Sequence, residues 1–191
     1  MRPLLLTLAL LAGCGDRPHG LLREPDEYTG CSSDEQWLTL DDQEPLAVVS
    51  DSSAAQITSP AAGATLPAAS RPMFTWKRAA SDPGAPVGDV PHDGPACNNC
   101  CPQWNTGAIT TLHLPPISGN VYDLQFSFDG DVQYRVVTTI QAWSPDDATW
   151  ALFRGKSVSL KIWRMTVLRN DVPQGGGPFV ATTPFLFVVT P

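Results

Sequence analysis

An alternation of apolar and polar residues, regular over residues 122–128 and resumed over residues 134–140, is the feature that most constrains the fold of this chain. From residue 122 to 128 the even positions are aromatic or aliphatic and the odd positions are polar. Successive side chains of a β-strand point to opposite faces, so a period of two predicts a strand with one apolar face. Asp129-Gly130 then makes a typical hairpin turn, and residues 134–140 repeat the alternation. The pattern predicts an antiparallel strand pair.

Shorter segments of the same kind recur between residues 54 and 191. Candidate strands lie at residues 56–60, 63–67, 71–76, 158–162 and 185–189, with turn residues between them. Many short strands with regular turns predict an all-β fold, an antiparallel β-sandwich. After Ile162 the alternation slips, so that Trp163 and Met165 become the apolar positions, which predicts a bulge or a strand that changes sheets. Gly175-Gly-Gly177 predicts a turn before the last strand.

One short helix is predicted at about residues 145–153. Ser144 is a suitable N-cap, Pro145 suits the first helical position, and two carboxylates, Asp146 and Asp147, stand near the positive end of the helix dipole. Gly155 follows Phe153 as the stop signal.

Residues 79–107 are rich in Pro, Gly, Asp and Asn and show no periodicity. They predict a long loop, and a loop of this length in a compact domain is usually functional or disordered. It contains Cys97, Cys100 and Cys101.

Residues 14–53 are strongly acidic and are predicted to form an extended, solvated tether before the sandwich domain, which starts at residue 54. No basic residue occurs between Glu24 and Ser70. Two short apolar segments, residues 37–40 and 46–49, are long enough for strands that would add an edge to the sandwich. The whole chain carries a formal net charge of −7, which argues against nucleic acid as a partner.

The N-terminus has the layout of an export signal. Arg2 precedes an apolar run over residues 4–12, which is too short to span a bilayer. The run ends in Leu11-Ala-Gly-Cys14, which resembles the lipobox of bacterial lipoproteins. The resemblance implies that residues 1–13 are removed and that Cys14 is lipidated, so that the lipid bilayer is a partner. Gly15, where some inner-membrane lipoproteins have aspartate, favours the outer membrane, on its periplasmic or surface face.

With Cys14 used by lipid, four cysteines are left in an oxidising compartment: Cys31, Cys97, Cys100 and Cys101. An even number predicts two disulfides. Because a bond between the neighbours Cys100 and Cys101 would be strained, Cys31–Cys100 or Cys31–Cys101 is the preferred pairing, and both stay open.

Two alternatives compete with disulfides. Cys97, Cys100 and Cys101, flanked by His92 and His113, offer soft ligands suited to Zn²⁺ or Cu(I). Cys97-Asn-Asn-Cys100 would also suit thiol–disulfide exchange. No catalytic motif accompanies the histidines, so no catalytic residue and no cofactor are predicted outside the metal alternative. Three tryptophans are candidates for an outer face that stacks on sugars: Trp104, Trp143 and Trp163.

Two further segments carry family resemblances. Residues 56–76, with Pro60, Gly63 and Phe74-Thr-Trp76, resemble the first two strands of bacterial immunoglobulin-like and fibronectin type III-like modules. Ser144-Pro-Asp-Asp-Ala-Thr-Trp150 is similar to a segment of small lipoproteins of GC-rich Gram-negative bacteria, a group without an assigned activity. These resemblances imply the fold and the location only. The predicted function is a membrane-anchored lipoprotein with a non-enzymatic binding or structural module whose partner is an envelope protein or glycan, and the alternative is a metal-binding or thiol-redox lipoprotein that uses Cys97, Cys100 and Cys101.

Overall fold

The computed structural model describes residues 24–78, 118–169 and 171–191, and these residues are mostly β-structure. The strands are β1 (Glu27–Thr29), β2 (Val48–Val49), β3 (Gln56–Ser59), β4 (Thr65–Leu66), β5 (Phe74–Lys77), β6 (Gly119–Phe128), β7 (Asp131–Thr138), β8 (Ala142–Trp143), β9 (Ser157–Leu168), β10 (Val172–Val180) and β11 (Phe185–Val189). The α-helices are α1 (Asp34–Gln43) and α2 (Asp147–Phe153), and a 3-10 turn, Glu44–Leu46, follows α1.

Two sheets pack against each other, as the alternation predicts. The larger has the order β1-β7-β6-β9-β10-β2, with β11 pairing with β9 and β4 with β11; the smaller is β3-β5-β8. The predicted all-β sandwich is present, but it is not antiparallel throughout as predicted, because β1, β2 and β4 pair in parallel with β7, β10 and β11. Each of these short strands pairs with a strand that is distant in sequence, at an edge of the antiparallel part of the sheet.

The hairpin predicted at residues 122–140 is formed by β6 and β7. Leu124 lies opposite Val136, and Asp129 and Gly130 both have the positive φ that this tight turn requires. The even positions of β6 point into the space between the sheets, where Phe126 meets Phe74 at 5.7 Å between ring centroids. These aromatic contacts form the main core of the sandwich.

The slip after Ile162 marks neither a bulge nor a change of sheet in β9. β9 keeps continuous register with β6 from Ser159 to Val167. The irregularity is instead in β10, where the register passes from Gln174 directly to Phe179, so the predicted turn at residues 175–177 is a bulge inside that strand. Met165 is fully buried on the outer face of the sheet. The odd positions after Ile162 are therefore apolar because the outer face of the sheet is buried there too.

Helix α2 ends at Phe153 as predicted but begins two residues later than predicted. Asp146, not Ser144, is the N-cap, and its Oδ1 accepts a 2.7 Å hydrogen bond from the backbone N–H of Thr149. A shorter helix results, because the carboxylate of Asp146 satisfies the first free N–H groups. Trp150 and Phe153 are buried in the main core.

Helix α1 departs from the sequence prediction, in which residues 37–40 are a segment long enough for a short edge strand. Ser33 and Gln36 form a capping box: the Ser33 hydroxyl accepts from the Gln36 N–H, and the Gln36 side chain accepts from the Ser33 N–H. This pair starts a helix just before Trp37, Leu38 and Leu40. These residues therefore lie on a helix and not on a strand. The described residues therefore contain two α-helices, where the sequence predicted one.

Residues 26–49, here called the strap, cross the outer face of the large sheet. β1 joins one edge beside β7, α1 lies over the face, and β2 joins the opposite edge beside β10. A second core forms beneath α1: Leu40, Val121, Val137, Met165 and Val167. The prediction of a solvated tether is therefore wrong for the strap, because its few apolar side chains find a matching apolar surface.

Some of the other predicted features lie outside the described residues, and the structure places the rest. Cys14, the export signal, residues 79–107, the three loop cysteines, both histidines and Trp104 lie outside the described residues. Trp143 is buried between the sheets, which contradicts the predicted outer position, whereas Trp163 is half-buried on the outer face beside the second core. In the described ranges, no helix combines the length and apolar character that crossing a membrane requires.

If the strap belongs to the folded unit, truncating its buried leucine must destabilise the protein. Leu40→Ala is expected to lower the free energy of unfolding by about 2–4 kcal/mol, because it removes a fully buried side chain and leaves a cavity. Leu38→Ala, on the same helix but 48% exposed, should change it by less than about 0.5 kcal/mol. Urea denaturation of both variants checks this, and equal midpoints would show that α1 carries no tertiary packing.

Candidate functional site

A buried ion cluster lies between the large sheet and the strap. Arg135 projects from β7 on the outer face, is 1% exposed, and faces Asp123 of β6, which is fully buried. Its Nε donates to the two carboxylate oxygens of Asp123 at 3.0 and 2.9 Å, and its Nη2 donates to Oδ2 at 2.6 Å. Gln125 donates from Nε2 to the same Oδ2 at 2.9 Å. Asp123 is thus held by several charge-assisted hydrogen bonds.

The strap, which covers this face of the sheet, adds two carboxylates and an aromatic ring around Arg135. Asp41 Oδ1 lies 3.6 Å from Nη1 of Arg135, and Glu44 Oε2 lies 3.9 Å from Nη2. The ring of Trp37 covers the guanidinium at 5.8 Å from Cζ to the ring centroid. We call Arg135, Asp123, Gln125, Asp41 and Glu44 the Arg135 cluster. It sets three carboxylates around one guanidinium.

Burial and neighbouring charges shift the pKa values of Glu44 and Arg135. Burial raises the pKa of Glu44 above its ordinary value of 4.5; the Arg135 charge opposes this, and the charges of Asp123 and Asp41 add to it. For Arg135, burial lowers the pKa, but the hydrogen bond and charge of Asp123, followed by the charges of Glu44 and Asp41, raise it above its ordinary value overall. Arg135 therefore stays charged, and Glu44 is the group of the pair that is displaced toward its neutral form.

Sequence reasoning missed this cluster because its members occupy the polar positions of the alternation. Asp123 and Gln125 were assigned to the polar face of a strand, which is ordinarily solvated. The signal that could have found them is the slip in β9, because Met165 and Val167 face the same way and need a cover.

Glu27 of β1 fastens the start of the strap to the main core. Its Oε2 accepts hydrogen bonds from Tyr134 Oη and Trp143 Nε1, each at 3.1 Å. Thr149 of α2 donates in turn to the Tyr134 oxygen at 3.1 Å. Burial, reinforced by the Glu27 carboxylate, raises the pKa of Tyr134 to about 12, so the hydroxyl keeps the proton that it donates.

Cys31 lies beside the end of β7, at one end of the sandwich. Its N–H donates to Thr139 Oγ1 at 2.9 Å, one residue beyond the end of β7. Gly30 makes this close approach with φ +66°, and a Cβ there would lie 2.6 Å from the same oxygen. Trp76 of β5 donates from its backbone N–H to Gln141 O at 3.2 Å, close to the same end. β6 begins at this end too, since Tyr122 pairs with Thr138.

A groove of about 450 Å³ opens at the side of the sandwich, between β3 and the edge of β9. It lies where β9 changes partner, from β11 at residues 157–160 to β10 at residues 164–168. Apolar side chains such as Ile57, Ile162 and Phe185 line it, and Asp51 and Lys161 are the charged residues in its wall. The groove could take an apolar group with a few polar contacts.

The structure does not test the predicted metal ligands or disulfides, because all of these residues except Cys31 lie outside the described ranges. Within those ranges no group of three or more His, Cys, Asp or Glu side chains is placed to hold a metal ion. No protein-family model, curated protein or solved structure matches this chain.

Removing Arg135 alone should lower the free energy of unfolding much more than removing Arg135 and Asp123 together. Arg135→Met leaves Asp123 buried and unpaired and should cost about 3–5 kcal/mol of unfolding free energy. The double variant Arg135→Met/Asp123→Leu should recover a large part of that loss, because no unpaired charge is left on β6. Arg154→Met, at an exposed position, is the matched control and should stay close to the parent protein. Chemical denaturation measures all three, and a double variant less stable than the single one would contradict this account.

Proposed function

We propose that this protein is an exported envelope lipoprotein, anchored by lipid on Cys14, whose β-sandwich is a non-enzymatic binding or structural module. The observation that carries the proposal is Leu11-Ala-Gly-Cys14 at the end of an apolar run of export-signal length. Lipid chains on one cysteine contribute about 0.8 kcal/mol for each buried methylene, so two or more chains make attachment stable. The outer membrane is the proposed site, on the periplasmic or the surface face.

The groove supports a binding role for the sandwich. Its apolar lining, with Asp51 and Lys161 at its wall, offers contact area and a few polar anchors, which is the usual composition of a recognition surface. The proposed partner is an envelope protein or a glycan. A chain of net charge −7 is repelled by nucleic acid, which is not proposed as a partner.

The immunoglobulin-like or fibronectin III-like classification is also a proposal. Residues 56–76, which carry the resemblance, form β3, β4 and β5, and β3 pairs antiparallel with β5 in the small sheet. The two packed sheets and the aromatic core around Phe74 support the classification. The strap is an addition to that plan.

We further propose a disulfide from Cys31 to Cys100 or Cys101, with a second disulfide among the loop cysteines. The position of Cys31 supports it, because Cys31 lies toward the same end of the sandwich as residues 78 and 118, the nearest described residues before and after the three other cysteines in sequence. Such a bond closes a loop of about 70 residues and would contribute on the order of 4 kcal/mol by limiting the unfolded chain.

If the protein is anchored by lipid, its attachment to the membrane should depend on Cys14 and on none of the other cysteines. Cys14→Ser should move the protein from the membrane fraction to the soluble fraction and abolish incorporation of labelled palmitate. Cys31→Ser is the matched control, since it removes a cysteine but not the lipobox, and it should leave both readouts unchanged. Fractionation and labelling in a Gram-negative host check this; a Cys14→Ser variant that stays labelled would overturn the anchor.

The cysteine assignment is checked by intact and peptide mass spectrometry of the purified protein without reductant. Two closed disulfides, one of them linking Cys31 to the peptide with Cys97, Cys100 and Cys101, are expected. In Cys31→Ser one loop thiol should become alkylatable, and the melting temperature should fall. Free thiols with stoichiometric Zn or Cu would instead favour the alternative function, a metal-binding or thiol-redox lipoprotein using the same three cysteines with His92 and His113.

A further inference from the structure

The contact between the strap and the sheet is small in apolar area and dense in charge. Leu40 is the fully buried apolar side chain that α1 contributes, and Trp37 is half-buried beside it. The flanking strands are short, with three residues in β1 and two in β2. Segments held by few buried apolar contacts open locally at lower free energy than the core of the same protein. The strap is such a segment, and the Arg135 cluster is the main polar interaction beneath its helix.

We propose that the strap is a pH-responsive cover: it docks with uptake of a proton by the Arg135 cluster, so its hold on the sheet tightens as the pH falls and loosens as the pH rises. The basis is the stoichiometry of the cluster. Asp123, Asp41 and Glu44 share one cation in a buried space, whereas in the open state the two strap carboxylates return to water. A buried excess of negative charge favours protonation of its least compensated member.

Glu44 is that member. Asp123 accepts three hydrogen bonds from Arg135 and one from Gln125, and Asp41 lies 3.6 Å from Arg135. Glu44 approaches Arg135 only at 3.9 Å, and its buried Oε2 has no hydrogen-bond partner among the described residues, although Gln125 also hydrogen-bonds to the Glu44 side chain and partly opposes the rise of its pKa. The raised pKa of Glu44 agrees with this geometry, since burial is its largest cause. A protonated Glu44 also turns from an acceptor into a donor beside two carboxylates.

Charged groups on the elements around Glu44 set its electrostatic surroundings. β7 contributes Arg135, β6 contributes Asp123, and α1 with the following turn contributes Asp41 and Glu44. Asp26, just before β1, accepts from the backbone N–H of Arg135, and Lys161 of β9 pairs in register with Gln125 but is exposed. β10 has no ionisable side chain from Val172 to Val180. Other acidic residues of α1, Asp34, Glu35 and Asp42, face solvent.

The direction of the effect follows from linkage. The open strap has Glu44 at its ordinary pKa of 4.5 and the docked strap has it higher, so the docked state holds more protons between those two values. Docking is therefore strongest below pH 4.5 and weakens as the pH rises through the docked pKa. Release of one proton limits the change to about tenfold in the opening equilibrium per pH unit.

Amide hydrogen exchange on the full-length protein between pH 4 and 8, a range that starts below the ordinary pKa of Glu44, measures this opening directly once the rates are corrected for intrinsic exchange. Amides of α1 should lose protection by several-fold as the pH rises, while amides of β6 report global unfolding and confirm that the sandwich stays folded. In Glu44→Gln the α1 protection should become nearly independent of pH and exceed that of the parent protein at pH 8. Glu35→Gln, an exposed substitution on the same helix, should keep the parental slope.

Parallel pH profiles in Glu44→Gln and the parent protein would overturn the proposal, as would α1 protection that increases with pH. Loss of β6 protection in step with α1 would also overturn it, because the strap would then open only with global unfolding. None of these outcomes depends on the lipid anchor or on a binding partner, so the cover can fail while the proposed function stands.

Discussion

The contact between Arg135 and Asp123 is the interaction on which the rest of this structure depends. A guanidinium and a carboxylate on the face of a β-sheet are ordinarily hydrated, and moving them out of water is costly unless their hydrogen bonds are replaced. Here the two groups satisfy each other on adjacent strands, and Gln125 and Trp37 close the remaining sides. This arrangement lets β6 be buried from Val121 to Phe126 on both faces.

Burial on both faces explains why the molecule has two cores around one sheet. The inner face packs against β3, β5 and β8 through aromatic rings, and the outer face packs against α1 through a smaller set of aliphatic side chains. The two cores differ in kind: the inner one is stabilised by apolar area, and the outer one combines modest apolar area with charge. Under the proposed anchoring, the strap is also the part of the sandwich closest in sequence to the membrane, so whatever governs its docking governs how the module is presented.

Local sequence signals predicted the elements whose reasons are local. The β6–β7 hairpin follows from alternation and from Asp129-Gly130, and α2 ends at Phe153 before Gly155 as its stop signal requires. Helix α1 was missed although its signal is local too, because Leu38 and Leu40 alternate as a strand would, while Ser33 and Gln36 start a helix. The Arg135 cluster could not be predicted in the same way. Asp123 and Arg135 look like solvated positions on their own strands, and only residues 41 and 44, some 80 to 90 positions away, turn that face into an interior.

The sequence by itself determined that this is a β-rich chain with alternating strands, and its resemblance to a lipobox led to the proposal of an export signal before a lipidated Cys14. Period two, turn chemistry and capping residues act over a few positions, so they can be inferred without knowing what lies nearby in space. The tertiary structure alone decided that acidic residues 26–49 fold onto the sheet, that three short strands pair in parallel, and that an arginine lies among three carboxylates. The physical reason is that burial of a polar face depends on which distant segment covers it, and no local pattern records that choice.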